Sequence, residues 1–443
     1  MTNDAMTQYL RPMKPSLAYQ SDGKLFPVIA ATTPLMVRAF WRKIYVHNRR
    51  AVPHDKPVLL AANHPTAFLD PVILCSFLDP PLYNMTRGDI FQKPFFRRLL
   101  ESINMFPVFR QRDGYTGRDR NDEVFEFCRE KLRQKRVLAI YVEGEHHLEW
   151  RVKPVQKGII RIAFDALEKY DLPDLQIIPA GCNHVWGDRP RDEIMVNIGE
   201  PIPLAPYWAE YRQNPGAAAA RLTTDIGEAL KKICLHIDDP ADDPLAAQLL
   251  TLRRSDFSTP LLPVVEFHNR RFLAEKAVCD RINAMPPAEK NALREKTDPY
   301  FAALEQAGLS DEALANPHWA AWRRLPLFLL GFLPFLAGYL GSYPIIGLAR
   351  YLTRKKVKKR EFRSSVHLGV AYLASVVFYA LYLLAGLLSR DPWWIALSLA
   401  LPALGWFSMF YRENWSRWFN ARRALGHPER SRLLDMRKKI VAP

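Results

Sequence analysis

Residues 58–73 read VLLAANHPTAFLDPVI, and the change of character halfway along decides the fold. Val58, Leu59, Leu60, Ala61 and Ala62 form an uninterrupted apolar run behind Pro57. That is the pattern of a short strand covered on both faces, as in the parallel sheets of α/β proteins. The run stops at Asn63-His64-Pro65. Proline donates nothing to a strand ladder and pushes its predecessor into extended geometry, so His64 is expected at the strand end, with Pro65 and Thr66 opening a helix. Side chains that do chemistry collect at the carboxyl ends of such strands. Histidine titrates near neutrality, and a carboxylate on one ring nitrogen leaves the other to take a proton from a hydroxyl. His64 is therefore the candidate base and Asp70 its orienter. Standing alone, such a pair is more often a helix-start histidine beside a solvated aspartate, so the neighbours must decide.

Three further blocks follow in order. Residues 105–110 read MFPVFR; residues 137–142 are a second apolar run, VLAIYV, closing on Glu143-Gly144; and residues 177–180 read IIPA. In this order the four blocks resemble the PlsC-like glycerolipid acyltransferases, which acylate glycerol-3-phosphate or lysophosphatidate, over about residues 40–235. The resemblance implies an α/β acyltransferase domain, a central mixed sheet flanked by helices. It implies His64 and Asp70 as the catalytic pair and Arg110, with Arg112 two residues on, as clamps for an acceptor phosphate. Asn63, Glu143 and Gly144 are then expected at the substrate. A guanidinium suits this task because its fork matches phosphate oxygens in pairs. Two departures stand out. The family usually places four residues between histidine and aspartate, whereas this chain has five, and Val142 and Glu145-His146-His147 replace residues usual around the third block.

The implied reaction has His64 deprotonate an acceptor hydroxyl, which attacks the thioester carbonyl of acyl-CoA or an acyl-carrier protein. No cofactor beyond that co-substrate is required, and no covalent acyl-enzyme. Accordingly the chain has no Gly-x-Ser-x-Gly elbow, no phosphate-cradling loop with lysine and serine, and no Cys-x-x-Cys pair. His146 and His147 beside Glu143 and Glu145 hint at a metal, but adjacent histidines on an extended segment face opposite ways. No metal site is expected.

Lysine and arginine total 62 against 46 acidic residues, a net charge of +16, which suits nucleic acid and anionic lipid equally. The C-terminal third favours lipid and no nucleic acid. Residues 366–388 and 393–410 are apolar segments of membrane-spanning length joined by Ser389-Arg390-Asp391-Pro392, with tryptophans at their ends and basic clusters on both outer flanks. A transmembrane hairpin with cytoplasmic ends follows. Residues 325–349 are apolar but broken by Pro334, Gly338, Gly341 and Pro344, and are expected to form a re-entrant or interfacial helix pair with both ends cytoplasmic. The organisation is then a polar tail, 1–25; the catalytic domain with an interfacial entry helix, 26–236; a helical region, 237–324, with helices at 245–254, 264–284 and 288–307; the membrane segments, 325–349 and 366–411; and a basic cytoplasmic tail, 412–443. Five cysteines without framework spacing fit reduced thiols. These features place the protein in a membrane, the bacterial inner membrane on this reading, with its catalytic domain cytoplasmic and with membrane lipids, an acyl thioester and a phosphate-bearing acceptor as partners. An acyltransferase acting on a non-phosphate lyso-lipid and a non-catalytic membrane adaptor of the same fold are the alternatives.

Overall fold

The computed structural model describes residues 26–108, 118–257 and 260–441. The chain divides into two compact units, one ending at residue 235 but including Val264–Asn269, the other holding the rest. The first unit is built on one mixed sheet. Its strands are β1 (Lys43–His47), β2 (Val58–Ala62), β3 (Leu82–Arg87), β4 (Met105–Val108), β5 (Val137–Tyr141), β6 (Gln176–His184), β7 (Glu193–Ile198), β8 (Ile202–Pro203) and β9 (Val265–Glu266). Their order is β4-β3-β5-β2-β6-β7-β1-β9, with β8 beside β6. Neighbours are parallel except where β6 meets β7 and β8. The expected mixed sheet flanked by helices is thus present.

The apolar run at residues 58–62 is β2, between β5 and β6 with all five residues buried. Leu59, Leu138 and Ile177, one from each of these strands, are wholly enclosed in a common cluster. Each such side chain contributes roughly 1.5–3 kcal/mol by leaving water. Helices α1 (Phe26–Phe40), α2 (Leu69–Phe77), α3 (Pro94–Glu101), α4 (Arg118–Arg133), α5 (Gly158–Tyr170), α6 (Ala205–Tyr211) and α7 (Pro215–Ile233) complete the unit. In α7, Leu222, Ile226 and Leu230 are buried at helical spacing, as an amphipathic closing helix requires.

Two local expectations change. The helix after Pro65 opens at Leu69 instead, because the Asp70 carboxylate draws the Thr66 backbone N–H and hydroxyl into a turn ahead of it. Residues 264–269 are not helical: β9 pairs alongside β1, and Glu266 meets the ammonium of the buried Lys43. An enclosed cation requires such a partner.

In the second unit, α8 (Asp243–Asp256), α9 (Arg270–Ala284), α10 (Pro287–Ala307), α11 (Asp311–Ala315) and α15 (Arg430–Val441) form a helical body. Leu252, Tyr300, Leu304, Leu314 and Leu433 pack at its centre. Arg437 ties α15 into it through Asp311 at 2.8 Å and Asp256 at 2.6 Å. Three long helices, α12 (Leu325–Lys356), α13 (Arg363–Ser389) and α14 (Pro392–Leu425), are long and apolar enough to cross a membrane. Their outer faces carry exposed Leu330, Leu333, Leu388 and Trp393, and small residues let the backbones approach. A Cβ on Gly338 would lie 2.0 Å from the Leu404 carbonyl oxygen, the close contact that glycine permits between membrane helices.

Residues 325–356 form one helix by hydrogen bonding instead of the expected helix pair, and that helix has two partners. Its first half runs antiparallel to α14: Trp322 meets Trp418, Phe328 meets Tyr411 and Gly341 meets Leu401. α13 and α14 are antiparallel too, with Ser398 bonded to the Tyr382 carbonyl and Gly386 against Trp394. Tyr382 also donates to the Gly341 carbonyl. If α12 ran straight on from Gly341, Lys356 and Arg363 would be separated by about 50 Å at 1.5 Å per residue. The residues joining them reach about 25 Å at most. The helix must therefore turn after Gly341, and Pro344 is the residue placed to bend it. α12 packs on both members of the α13–α14 hairpin, meeting Tyr379 and Tyr382 of α13 at Ser342 and Gly341.

Candidate active site

The site forms at the carboxyl ends of β2 and β5, where Ala62 lies opposite Tyr141. Asn63 continues the line of β2: its side chain bonds both ways to the Cys182 backbone, accepting from N at 2.7 Å and donating to O at 3.1 Å. With its amide committed to β6, Asn63 locks the strand end. His64 follows, its ring stacked on Tyr141 at 3.9 Å between centroids and met edge-on by His146 at 4.1 Å. Burial pushes the Tyr141 phenol well above its ordinary range, so it keeps its proton and donates it to Asn84 at 3.2 Å.

His64 Nδ1 lies 2.9 Å from Asp70 Oδ2. Five intervening residues therefore still close the pair, because Thr66 folds the connection, donating its N–H to Oδ2 at 2.9 Å and its hydroxyl to Oδ1 at 2.7 Å. The Asp70 carboxylate is fully enclosed. Burial alone would raise its pKa, but hydrogen bonds from His184 and His64 outweigh burial and hold it at about 2. An ionised carboxylate has no proton to give, so Nδ1 of His64 is the donor and Nε2 is left as the acceptor. Nε2 has no protein partner among the described residues, and His64 keeps 12% of its side chain exposed.

Glu143 sits beneath this pair with a fully buried side chain. Its Oε2 accepts the His64 backbone N–H at 2.9 Å and meets His147 Nε2 at 3.0 Å. Oε1 accepts the Lys153 N–H at 2.9 Å. These bonds pin the His64 backbone to the loop after β5, and Gly144 with φ of 72° makes the turn that starts that loop, a conformation glycine adopts without strain. His146 meets the His64 ring, and His147 bonds Glu143. Among the described residues no group of three or more His, Cys, Asp or Glu side chains is placed to hold a metal ion. Arg110 and Arg112 lie outside the described residues.

Three participants were not read from the sequence: Thr66, His184 and Asp192. His184 ends β6 with its side chain 3% exposed, Nε2 3.0 Å from Asp70 Oδ1 and Nδ1 3.3 Å from Asp192 Oδ2. Burial would lower its pKa, but the hydrogen bonds with Asp192 and Asp70 raise it to about 9. Asp192 is in turn fixed by the backbone N–H groups of Trp186 at 3.0 Å, Gly187 at 2.9 Å and Glu193 at 2.7 Å. The arrangement can hold one oriented, accessible imidazole as a proton acceptor.

Residues 43–183 match a family model described as Acyltransferase. The chain is similar to Glycerol-3-phosphate O-acyltransferase 1 of Saccharomyces cerevisiae, 22% identical over 255 residues, covering 55% of this chain and 33% of that one. It is also similar to the mitochondrial Glycerol-3-phosphate acyltransferase 1 of Bos taurus, 22% identical over 183 residues, covering 35% of this chain and 22% of the other. The chain thus spans a third or less of the length of these curated relatives. The crystal structure of the 1-acyl-sn-glycerophosphate (LPA) acyltransferase PlsC from Thermotoga maritima aligns with a TM-score of 0.34 and 14% identity, over 52% of this chain and 84% of that one.

Proposed function

We propose, from the premise that residues 43–183 form a domain of the PlsC-like acyltransferase family, that this protein moves a fatty acyl group from acyl-CoA or an acyl-carrier protein to the hydroxyl of glycerol-3-phosphate or lysophosphatidate, with His64 as general base. The observation that carries the reading is the 2.9 Å bond between His64 Nδ1 and the enclosed, ionised Asp70. His64 Nε2 takes the acceptor's hydroxyl proton as the oxygen attacks the thioester carbonyl. The tetrahedral intermediate collapses by breaking the C–S bond, and the imidazolium returns the proton to the departing thiolate. The new ester and a free thiol result, with His64 neutral again. Asp70 holds the tautomer throughout, and Glu143 keeps the His64 backbone in register. The names of the curated relatives support a glycerol phosphate acceptor.

On this reading the second unit anchors the enzyme. With α12 bent at Pro344, α13 and α14 are the two spans, and α12 re-enters on the face it came from. The clusters around Arg324, around Lys355 to Arg360, and around Arg417 to Arg423 then all lie on the cytoplasmic side, as the positive-inside rule prefers. The turn at Ser389 lies opposite. Trp319 and Trp322, covered by Arg324 at 4.2 Å and Arg422 at 3.8 Å, mark the interface.

The test is a single-turnover experiment with labelled acyl thioester and the purified, detergent-held enzyme. Label passing to a glycerol-phosphate acceptor, and none retained on the protein without acceptor, agrees with direct attack. A stable acyl-protein adduct that is chased into product contradicts it.

A further inference from the structure

His184 lies far from His64 in sequence, is fully buried and is committed at both ring nitrogens, an arrangement that core packing alone does not call for. A carboxylate has about four lone-pair positions, and those of Asp70 are all taken: Oδ2 by His64 Nδ1 and the Thr66 N–H, Oδ1 by the Thr66 hydroxyl and His184 Nε2. On its other side His184 meets Asp192, which three backbone N–H groups hold in place. The loop carrying Asp192 is shaped for this: Gly187 has φ of 72°, and a Cβ there would lie 2.5 Å from Leu148 Cδ2.

We propose that His184 and Asp192 are positioning residues for acyl transfer, the outer members of a chain His64–Asp70–His184–Asp192 that fixes the Asp70 carboxylate against the base. The proposal rests on His64 being that base. The sheet supplies the outer pair: β6 delivers His184 to Asp70, and the loop entering β7 delivers Asp192 to His184. Both nitrogens of His184 face carboxylates, so the ring carries a proton on each and is a cation at neutral pH, in agreement with its raised pKa.

The consequence for chemistry follows from charge. Asp70 divides its negative charge between two imidazoles instead of one. Once His64 has taken the hydroxyl proton, two cations share one carboxylate, and their repulsion favours release of that proton to the leaving thiolate. Among the described residues, the charged and titratable groups that meet His64 are Asp70 from α2, Tyr141 from β5, and Glu143 and His146 from the following loop. Around His184 they are Asp70 and Asp192, with the Trp41 ring 6.4 Å away.

The experiment compares His184→Gln and Asp192→Asn with the wild type, full length and detergent-held. Two readings are taken: the pH profile of kcat/KM, and the pH dependence of carbethoxylation of His64 by diethyl pyrocarbonate, followed by peptide mass spectrometry. The reagent attacks neutral imidazole, so the second reading reports His64 protonation without turnover. His184→Gln is expected to lower kcat about ten- to a hundred-fold with KM for the acceptor nearly unchanged. It is expected to move both the acid limb of kcat/KM and the His64 modification midpoint upward, because loss of the His184 cation leaves the Asp70 charge to His64 alone. Asp192→Asn, which leaves His184 one carboxylate, moves both the same way by less, and carries the test alone should His184→Gln not fold. A folded variant with kcat within about twofold of wild type and both midpoints unmoved overturns the proposal. A wild-type enzyme that transfers acyl to no acceptor defeats the functional reading instead, while the modification midpoints still decide whether His184 acts on His64.

Discussion

Asp70→Asn changes side-chain volume little and charge by one unit, and the structure fixes what that does. Four donors converge on the carboxylate, from His64 at 2.9 Å, the Thr66 N–H at 2.9 Å, the Thr66 hydroxyl at 2.7 Å and His184 at 3.0 Å. An amide offers one oxygen, so whichever way it turns its NH2 faces two of them. Turned toward His64, it donates to Nδ1 and drives the ring proton onto Nε2, the position required to accept. Loss of kcat is then about 10³- to 10⁴-fold. Turned toward His184, it leaves that cation one carboxylate short. Removing one member of a buried ion pair costs about 3–5 kcal/mol.

The pH dependence of stability has a definite sign for each partner. Asp70, held at about 2 against an ordinary 3.8, contributes stability above pH 3.8 that is lost as pH falls through 2. His184, raised from 6.5 to about 9, contributes stability that is complete below pH 6.5 and lost as pH rises through 9. The two shifts share the Asp70–His184 bond, to which His184 adds its bond with Asp192 and Asp70 its bond with His64. Unfolding temperature measured at pH 6.5 and 9.5 should fall with rising pH in the wild type, and less in Asp70→Asn. Initial rates of thioester consumption supply the activity. A variant retaining kcat within tenfold, with the wild-type dependence of unfolding on pH, would refute the reasoning.

Three further predictions concern other parts of the molecule. Glu143→Gln places an amide NH2 against either the Lys153 N–H or the His64 N–H and His147 Nε2, so kcat should fall about tenfold or more and acceptor KM should stay near wild type; a raised KM with kcat intact would return Glu143 to the substrate. Gly338→Leu cannot be accommodated 2.0 Å from the Leu404 carbonyl and should lower the detergent-held unfolding temperature by several degrees, corresponding to at least about 2 kcal/mol; an unchanged temperature would contradict the packing of α12 on α14. Single cysteines at Arg323, Lys358, Ser389 and Glu429, probed with a membrane-impermeant thiol reagent in sealed vesicles of one orientation, should label in two groups, with Ser389 alone on its side. Arg323 grouping with Ser389 would mean that α12 spans.

How much was legible follows from how local each feature is. The strand at 58–62, its end at His64 and the return of a carboxylate at Asp70 are written in consecutive residues, as are the second strand and Glu143. What Glu143 touches was not legible: it reads as a substrate contact, but its oxygens are taken up by His64, His147 and Lys153. Asn63 likewise spends its amide on Cys182. His184 and Asp192 were missed because their meeting with Asp70 depends on β6 lying beside β2 and turning back into β7, pairings no local pattern encodes. A signal existed in His184 itself, which ends the strand that begins with the Ile177-Ile178-Pro179 block. The strand at 265–266 reads as helix in the sequence because its neighbours at 270–284 are helical, whereas its partners, β1 and the buried Lys43, lie far upstream. In the second unit, the proline and glycine interruptions of α12 signal a change of direction. The sequence did not show that hydrogen bonding continues through it.

The most direct test of the central claim is acyl transfer by the purified, detergent-held protein from labelled acyl-CoA or acyl-carrier protein to glycerol-3-phosphate, lysophosphatidate and lyso-lipids lacking phosphate, with folded His64→Ala in parallel. The account predicts product with a phosphate-bearing acceptor and a loss of at least about a hundredfold in the variant. Acyl transfer undiminished in His64→Ala would contradict it.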